Sequence, residues 1–229
     1  MATVLPMPAS PLLARHLTLG CSTGFMDDLR NDWERLVDRA AAVSSMAIEL
    51  SAISASELPG LLRYLDSAPR LPFLFVSVHA PSKGLNGDEL AHVEALCAVP
   101  AWVDAIVVHP DTISDAMLYR RLGRRLAIEN MDTRKRAGHV ADDLDGLFAQ
   151  LPAARLCLDV AHAKDVDASM HVASEILRRF SSRLSHVHVS SLDDAQHHVS
   201  LTPDDEALFE PVLDRCRDVP WILEAPLRS

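Results

Sequence analysis

The chain has 229 residues, 48% of them hydrophobic, and a formal net charge of -10. This length buries a sizeable core without disulfides or a structural metal, and it suits a single (β/α) barrel, which typically takes about 250 residues. The acidic balance, with no extended basic face, argues against nucleic-acid binding, and no apolar run approaches the length of a transmembrane helix.

Short aliphatic runs alternate with longer segments of helical period along the chain. Eight runs are predicted strands: Leu17–Cys21, Met46–Leu50, Phe73–Val78, Ala105–Val108, Leu126–Ile128, Arg155–Leu158, Leu184–Val189 and Trp221–Leu223. Seven amphipathic segments between them are predicted helices: Trp33–Val43, Glu57–Leu65, Glu89–Val99, Ser114–Leu122, Val140–Leu151, Val172–Phe180 and Glu206–Cys216. This alternation indicates repeated βα units and a closed parallel barrel.

The helix expected after the eighth strand is missing, because Ser229 follows Glu224 by only five residues. Either the proline-rich N-terminal segment or a partner subunit is expected to cover that position, so a homo-oligomer is left open. We predict the α/β class: a single TIM-type (β/α)8 barrel at residues 17–229, apparently without its final helix, after an N-terminal extension at residues 1–16.

The four cysteines are widely scattered and have neither a CxxC spacing nor the density of a secreted scaffold. They are expected to be buried thiols in a reducing compartment. The stretch before Leu17 is interrupted by Pro6, Pro8 and Pro11, which argues against a signal peptide. A cytoplasmic protein without a membrane segment is therefore predicted.

Ionisable residues recur at the ends of the predicted strands. Seven of the runs carry a His, Glu or Asp at or just after their last position: Glu49, His79, His109, Glu129, Asp159 with His162, His186 with His188, and Glu224. In a parallel barrel these positions ring the C-terminal mouth, where barrel active sites lie. Imidazoles and carboxylates together favour zinc, manganese, iron or cobalt, and two glutamates across the mouth would suit a general acid and base.

The ordered motifs "HAP", "VVHP", "IEN", "CLDxxH", "HVHxS", a later "HH" and "ILE" resemble the metal-binding series of the endonuclease IV branch of the xylose isomerase-like TIM barrels, from about Phe73 to Glu224. The resemblance implies these metal ligands: His79, His109, Glu129, Asp159, His162, His188, His198 and Glu224. A smaller set resembles the one-metal site of the ketose epimerases and related sugar isomerases: Glu129, Asp159, His188 and Glu224. In those enzymes the two glutamates both bind the metal and move a proton beside a carbonyl.

The chain departs from the endonuclease branch in three respects. Gln196 stands where that branch has an aspartate, two residues before the histidine that matches His198, which weakens a third metal position. The aromatic residue expected shortly after "HAP" is absent. The longer loops and basic surface with which that branch grips DNA are also missing.

The sequence leaves three functions open. The first is a divalent-metal-dependent sugar or sugar-phosphate isomerase or epimerase, in which Glu129 and Glu224 exchange a proton through an enediolate and the partner is a small molecule. The second is an endonuclease IV-like multi-metal phosphodiester hydrolase, favoured by the surplus histidines: His79, His109, His162 and His198. The third is a degenerate barrel that binds a small ligand without catalysis. Substrate and metal identity stay open.

Overall fold

The computed structural model describes residues 10–67 and 69–228. Its strands are β1 (Leu19–Ser22), β2 (Ala47–Ser51), β3 (Phe75–His79), β4 (Ala105–Val108), β5 (Leu126–Glu129), β6 (Arg155–Asp159), β7 (Leu184–Val189), β8 (Ser191–Leu192), β9 (His198–Val199) and β10 (Trp221–Leu223). All except β8 and β9 form a closed parallel barrel in the order β1-β10-β7-β6-β5-β4-β3-β2. The predicted fold class is confirmed, and the barrel strands match the predicted runs to within two residues at each end.

Helices connect the strands on the outside of the barrel. They are α1 (Pro11–Ala14), α2 (Trp33–Val43), α3 (Leu58–Asp66), α4 (Glu89–Cys97), α5 (Ala116–Tyr119), α6 (Ala141–Gln150), α7 (Val160–Val166), α8 (His171–Phe180) and α9 (Pro203–Leu213). Each predicted helix has a counterpart, although Ser114–Leu122 is only one α-helical turn that continues as a 3-10 helix. Within the described ranges, no helix is long and apolar enough to cross a membrane.

Two apolar layers follow from the alternation of side chains along the barrel strands. The larger layer lies between the outer face of the strands and the helices, and it buries residues such as Leu36, Leu61 and Leu96 completely. The smaller layer fills the inside of the barrel with these residues: Phe75, Ala105, Val107, Ala127 and Cys157. Most of those interior side chains are small, so the barrel has room for polar groups above them.

The N-terminal segment packs beside the last barrel strand. Leu12 and Leu13 of α1 are buried, and the Leu12 backbone N–H donates a 2.8 Å hydrogen bond to Glu206 Oε1 on α9. Residues 224–228 after β10 form no helix. The described part of the predicted extension therefore contacts α9, whereas residues 1–9 of that extension lie outside the described residues.

A stacked pair joins this segment to the barrel. The His16 ring lies 3.8 Å from the Trp221 ring at an angle of 5°, and its Nε2–H donates a 3.0 Å hydrogen bond to the Val219 carbonyl. Burial lowers the pKa of His16 from 6.5 to about 4. Between these pH values the unfolded chain binds more protons than the folded chain, so His16 destabilises the protein as the pH falls through this window.

We expect His16→Phe to keep the stacking and to reduce the loss of thermal stability between pH 7 and pH 4.5, because phenylalanine does not titrate. Thermal unfolding at both pH values measures the difference. The exposed His171 on α8 provides the matched control for replacing a histidine by phenylalanine. An equal drop in stability for the parent and His16→Phe would contradict the prediction.

Candidate metal centre

The eight residues predicted as metal ligands lie at one end of the barrel. Six stand at or just beyond the carboxyl ends of barrel strands: His79, His109, Glu129, Asp159, His188 and Glu224. His162 lies in α7 and His198 in β9, both directly downstream of those strand ends. Parallel strands end together, so residues up to 145 positions apart, from His79 to Glu224, meet at the mouth.

One cluster, here called the metal quartet, consists of Glu129, Asp159, His188 and Glu224, whose ligand atoms lie within 4.8 Å of one another. His188 Nδ1 is 2.9 Å from Glu129 Oε1 and 3.3 Å from Glu224 Oε1. Asp159 Oδ2 and Glu224 Oε2 are buried without a hydrogen-bond partner among the described residues. Three converging carboxylates and one imidazole fit a divalent ion such as manganese, iron, cobalt or zinc.

A second cluster, here called the histidine pair, joins His79 and His109 to Glu129. The two Nε2 atoms are 3.2 Å apart, and they lie 3.2 Å and 3.1 Å from Glu129 Oε2. Glu129 thus directs Oε1 to the metal quartet and Oε2 to the histidine pair. A carboxylate placed in this way is able to bridge two ions.

A third cluster contains Asp159, His162 and His198. His162 Nδ1–H donates a 3.0 Å hydrogen bond to the Asn130 carbonyl, and His198 Nδ1 is 2.7 Å from Ser190 Oγ. Both imidazoles therefore already have one ring nitrogen engaged. Asp159 is the carboxylate of this cluster and also belongs to the metal quartet, so a cation here would compete with the quartet for it.

The charges of the metal-free site are distributed unevenly. Burial disfavours a charged imidazole, but the carboxylates of Glu49 and Glu129 beside the ring raise the pKa of His188 well above its usual value. Burial also works against a charged Glu129, yet His188 and the histidine pair hold the pKa of Glu129 well below its usual value. In Glu224, burial prevails over His188 and raises the pKa strongly. A metal ion would take the place of these protons, so acid should weaken metal binding.

The open side of the site is lined by partly exposed ligands. The side chains of His79, His109 and Glu224 are 14%, 12% and 13% exposed, whereas those of Asp159 and His188 are 0% exposed. A substrate would therefore approach from the side of the histidine pair and Glu224, while Asp159 and His188 form the floor.

Comparison with known proteins supports the fold. No protein-family model matches the chain, and no curated protein matches its sequence. Among solved structures, 3-keto-D-glucoside 4-epimerase, YcjR, from E. coli matches with a TM-score of 0.59 at 14% identity, over 93% of both chains. The structure described as AsfvAP:AG matches with a TM-score of 0.57 at 14% identity, also over 93% of both chains. D-psicose 3-epimerase in the presence of D-fructose matches with a TM-score of 0.55 at 11% identity, over 93% of this chain and 86% of the other.

The chain has the closed parallel (β/α) barrel fold that these solved structures share. This agrees with the resemblance seen in the sequence motifs. At 11–14% identity the comparison establishes the architecture alone.

Gln196 does not face the metal clusters as a ligand would, because its side chain is bonded to the neighbouring loop. Its side-chain amide donates hydrogen bonds of 2.7 Å to Asp165 Oδ1 and 3.0 Å to Thr133 Oγ1. The residue adopts a left-handed backbone conformation with φ of 59°. The carboxylate that would strengthen the third cluster is therefore replaced by an amide that holds the loop after β8 against Asp165 and Thr133.

The sequence did not predict α7, which places His162. The helix begins directly after β6, where Asp159 Oδ1 accepts a 2.7 Å hydrogen bond from the His162 backbone N–H. Asn130 holds the same strand end in place. Its side-chain oxygen accepts a 2.8 Å hydrogen bond from the Asp159 N–H, and its side-chain amide donates a 2.9 Å hydrogen bond to the Asp159 carbonyl. An aspartate N-cap directly after a strand was the available signal, but seven residues are too few for a helical period to stand out.

The sequence analysis also did not predict that acidic residues lie beside the mouth. Asp132 is 1% exposed, with Oδ2 3.6 Å from His162 Nε2, and it accepts a 3.0 Å hydrogen bond from Arg134 Nε. Lys135 Nζ lies 3.4 Å from Asp111 Oδ2. Arg134 and Lys135, which follow β5, are thus each paired with an acid.

Two of the strand-end residues lie deeper than the ligands. Glu49 on β2 and His186 on β7 are both 0% exposed, and His186 Nε2 is 3.4 Å from Glu49 Oε2. His186 and His188 share the strand face that points into the barrel, as their spacing of two residues predicts. Glu49 contacts the metal quartet from below, through His188.

Proposed function

We propose that the protein is a divalent-metal-dependent sugar or sugar-phosphate isomerase or epimerase. The observation that carries the proposal is the metal quartet, in which Glu129 and Glu224 approach the same His188 nitrogen at 2.9 Å and 3.3 Å from opposite sides of β6 and β7. Two carboxylates in this position are suited to remove and return a proton on a substrate held between them. The sugar epimerases among the fold neighbours lend support.

Each residue of the metal quartet has a role in this proposal. A divalent ion held by these four residues would supply a Lewis acid that stabilises negative charge developing on the substrate. One of Glu129 and Glu224 takes the proton from the carbon beside the carbonyl, and the other returns a proton to that carbon or its neighbour. Asp159 also caps α7 and His188 also contacts Glu49, so we assign these two residues to holding the ion.

Solvent exchange tests the proposal directly. The metal-free protein is loaded separately with Mn²⁺, Co²⁺, Fe²⁺ or Zn²⁺ and incubated in D₂O with a panel of ketoses and ketose phosphates. We expect deuterium at the carbon beside the carbonyl of at least one substrate, detected by NMR and abolished by a chelator. The metal-free protein is the control. No exchange with any metal and any member of the panel would overturn the proposal.

A second function is supported by the histidine pair. A one-metal isomerase does not require His79 and His109, yet both lie within 3.2 Å of Glu129, which they share with the metal quartet. Two ions bridged by a carboxylate are suited to phosphodiester hydrolysis, because they generate hydroxide and clamp the reacting phosphate. The net charge of -10 and the paired Arg134 and Lys135 argue against a nucleic-acid substrate.

Metal content and one variant separate the two functions. About one ion retained per chain favours the isomerase, and two or three favour the hydrolase. We expect His109→Gln to keep the quartet ion and most of the ketose exchange, because His109 lies outside the quartet. Cleavage of an abasic-site duplex that requires two ions and is lost in His109→Gln would replace the isomerase by the hydrolase.

The remaining properties follow from the same observations. We infer a small-molecule substrate, because the ligands exposed at the mouth are flanked by paired charges rather than by a free basic surface. The metal is zinc, manganese, iron or cobalt by the chemistry of the donors. The scattered cysteines, which are free thiols in the structure, support a cytoplasmic location.

A further inference from the structure

Glu49 is a charged residue in the interior layer of the barrel, below the residues of the metal quartet. Its carboxylate belongs to β2 and is 0% exposed, beneath the metal quartet. Interior positions of such barrels are usually filled by branched apolar side chains, and a buried carboxylate has to be compensated by its neighbours. Glu49 is therefore a costly choice unless its contacts serve the site above.

The compensating contacts converge on one oxygen atom. Glu49 Oε2 accepts a 2.9 Å hydrogen bond from Ser77 Oγ and lies 3.2 Å from His188 Nε2 and 3.4 Å from His186 Nε2. Oε1 is buried without a hydrogen-bond partner among the described residues. The register places Glu49 opposite Ser77 on the adjacent strand, so the carboxylate is anchored on β3 as well as directed at β7.

His188 has two ring nitrogens with different surroundings. Nδ1 faces the metal quartet, 2.9 Å from Glu129 Oε1 and 3.3 Å from Glu224 Oε1. Nε2 faces Glu49 at 3.2 Å. An imidazole binds a metal ion through one nitrogen and carries its proton on the other, and a carboxylate that accepts this proton orients the ring and strengthens the ligand.

We propose that Glu49 is a positioning residue that accepts the Nε2–H of His188 and so presents Nδ1 to the metal ion. Glu49 acts on the ion only through His188, and Ser77 holds Glu49 in place. The inference rests on the metal centre of the proposed function but does not depend on which substrate that centre takes.

Two substitutions separate the hydrogen bond from the charge. Glu49→Gln removes the charge but keeps an amide oxygen that accepts Nε2–H, whereas Glu49→Leu removes both in a layer that tolerates apolar side chains. Val107→Ala is the matched control, because Val107 is equally buried inside the barrel and belongs to its apolar layer.

Co²⁺ affinity is measured by competition with a chelator, together with the visible spectrum of the bound Co²⁺. In the Zn²⁺-loaded, ¹⁵N-histidine-labelled protein, NMR identifies the metal-bound nitrogen of His188.

We expect Glu49→Leu to bind Co²⁺ about 10–100-fold more weakly with an altered spectrum, Glu49→Gln to lose less, and Val107→Ala to match the parent. In the parent, Nδ1 should carry the metal and Nε2 the proton. Parental affinity and spectrum in Glu49→Leu, equal losses in both Glu49 variants, or metal bound at Nε2 would overturn the proposal. If Glu49→Leu does not fold, Glu49→Gln provides the test. A Co²⁺ spectrum and an Nε2–H signal in Glu49→Gln that both equal those of the parent would overturn the proposal.

The same measurements keep this inference apart from the proposed function. A parent protein that retains no Co²⁺ overturns both. A parent that binds Co²⁺ with the expected dependence on Glu49 but promotes no deuterium exchange in ketoses overturns the isomerase alone. Exchange that persists while the Glu49 variants bind Co²⁺ as the parent does overturns only the positioning role.

Discussion

Glu129→Gln is expected to abolish most of the turnover while the barrel stays folded. Glutamine keeps the volume of a side chain that is 1% exposed, but the variant loses a charged ligand and a base. Loss of a general base typically lowers the rate by about 10²–10⁴-fold. Loss of the negative charge also weakens binding of the metal ion. Glu129 also contacts both metal clusters, so both proposed chemistries should fail together.

The rate of deuterium exchange and the metal content per chain measure this effect. Glu206→Gln on α9 is the control and should behave as the parent does, because Glu206 belongs to none of the three clusters and glutamine can still accept the hydrogen bond from the Leu12 N–H. If Glu129→Gln retained the parental metal content and rate, Glu129 would have no central role. The metal quartet would then not be the site of chemistry.

Asp159→Asn is expected to remove metal binding without disturbing the local structure. Asp159 has two tasks, since Oδ1 caps α7 through the His162 N–H at 2.7 Å while Oδ2 is buried without a hydrogen-bond partner in the described part of the chain. Asparagine caps helices as well as aspartate does, but it cannot supply the anion. We expect metal affinity to fall by about 100-fold or more, because the substitution removes a direct ligand.

Thermal unfolding with and without metal distinguishes the two tasks. The metal-free Asp159→Asn protein should be as stable as the parent or more stable, because two buried carboxylates, Asp159 and Glu129, no longer lie in one cluster. Added metal should no longer raise its melting temperature. Asp159→Ala also loses the cap, which costs about 1 kcal/mol, so its metal-free form should melt lower. Metal-dependent stabilisation of Asp159→Asn equal to that of the parent would place the ion elsewhere.

The fold was predictable because local and global preferences agree. Apolar runs such as Ala105–Val108 are bounded by helical segments of the right length, and parallel strands can only be joined by such crossovers. Boundaries were less predictable where helices are short. The predicted helix Ser114–Leu122 becomes a 3-10 helix after Tyr119, and Gly123 interrupts it with φ of 58°.

The sequence by itself determined where the strands end, and therefore that His79, Glu129 and Glu224 lie at a common mouth. In a closed parallel barrel the carboxyl ends of all strands are at the same end of the barrel. Only the tertiary structure decided which atoms meet. It divides the two oxygens of Glu129 between the metal quartet and the histidine pair, and it engages the Gln196 amide with Asp165. Those contacts depend on barrel tilt and side-chain rotamers over long sequence separations, such as the 139 residues between Glu49 and His188, which no local pattern encodes.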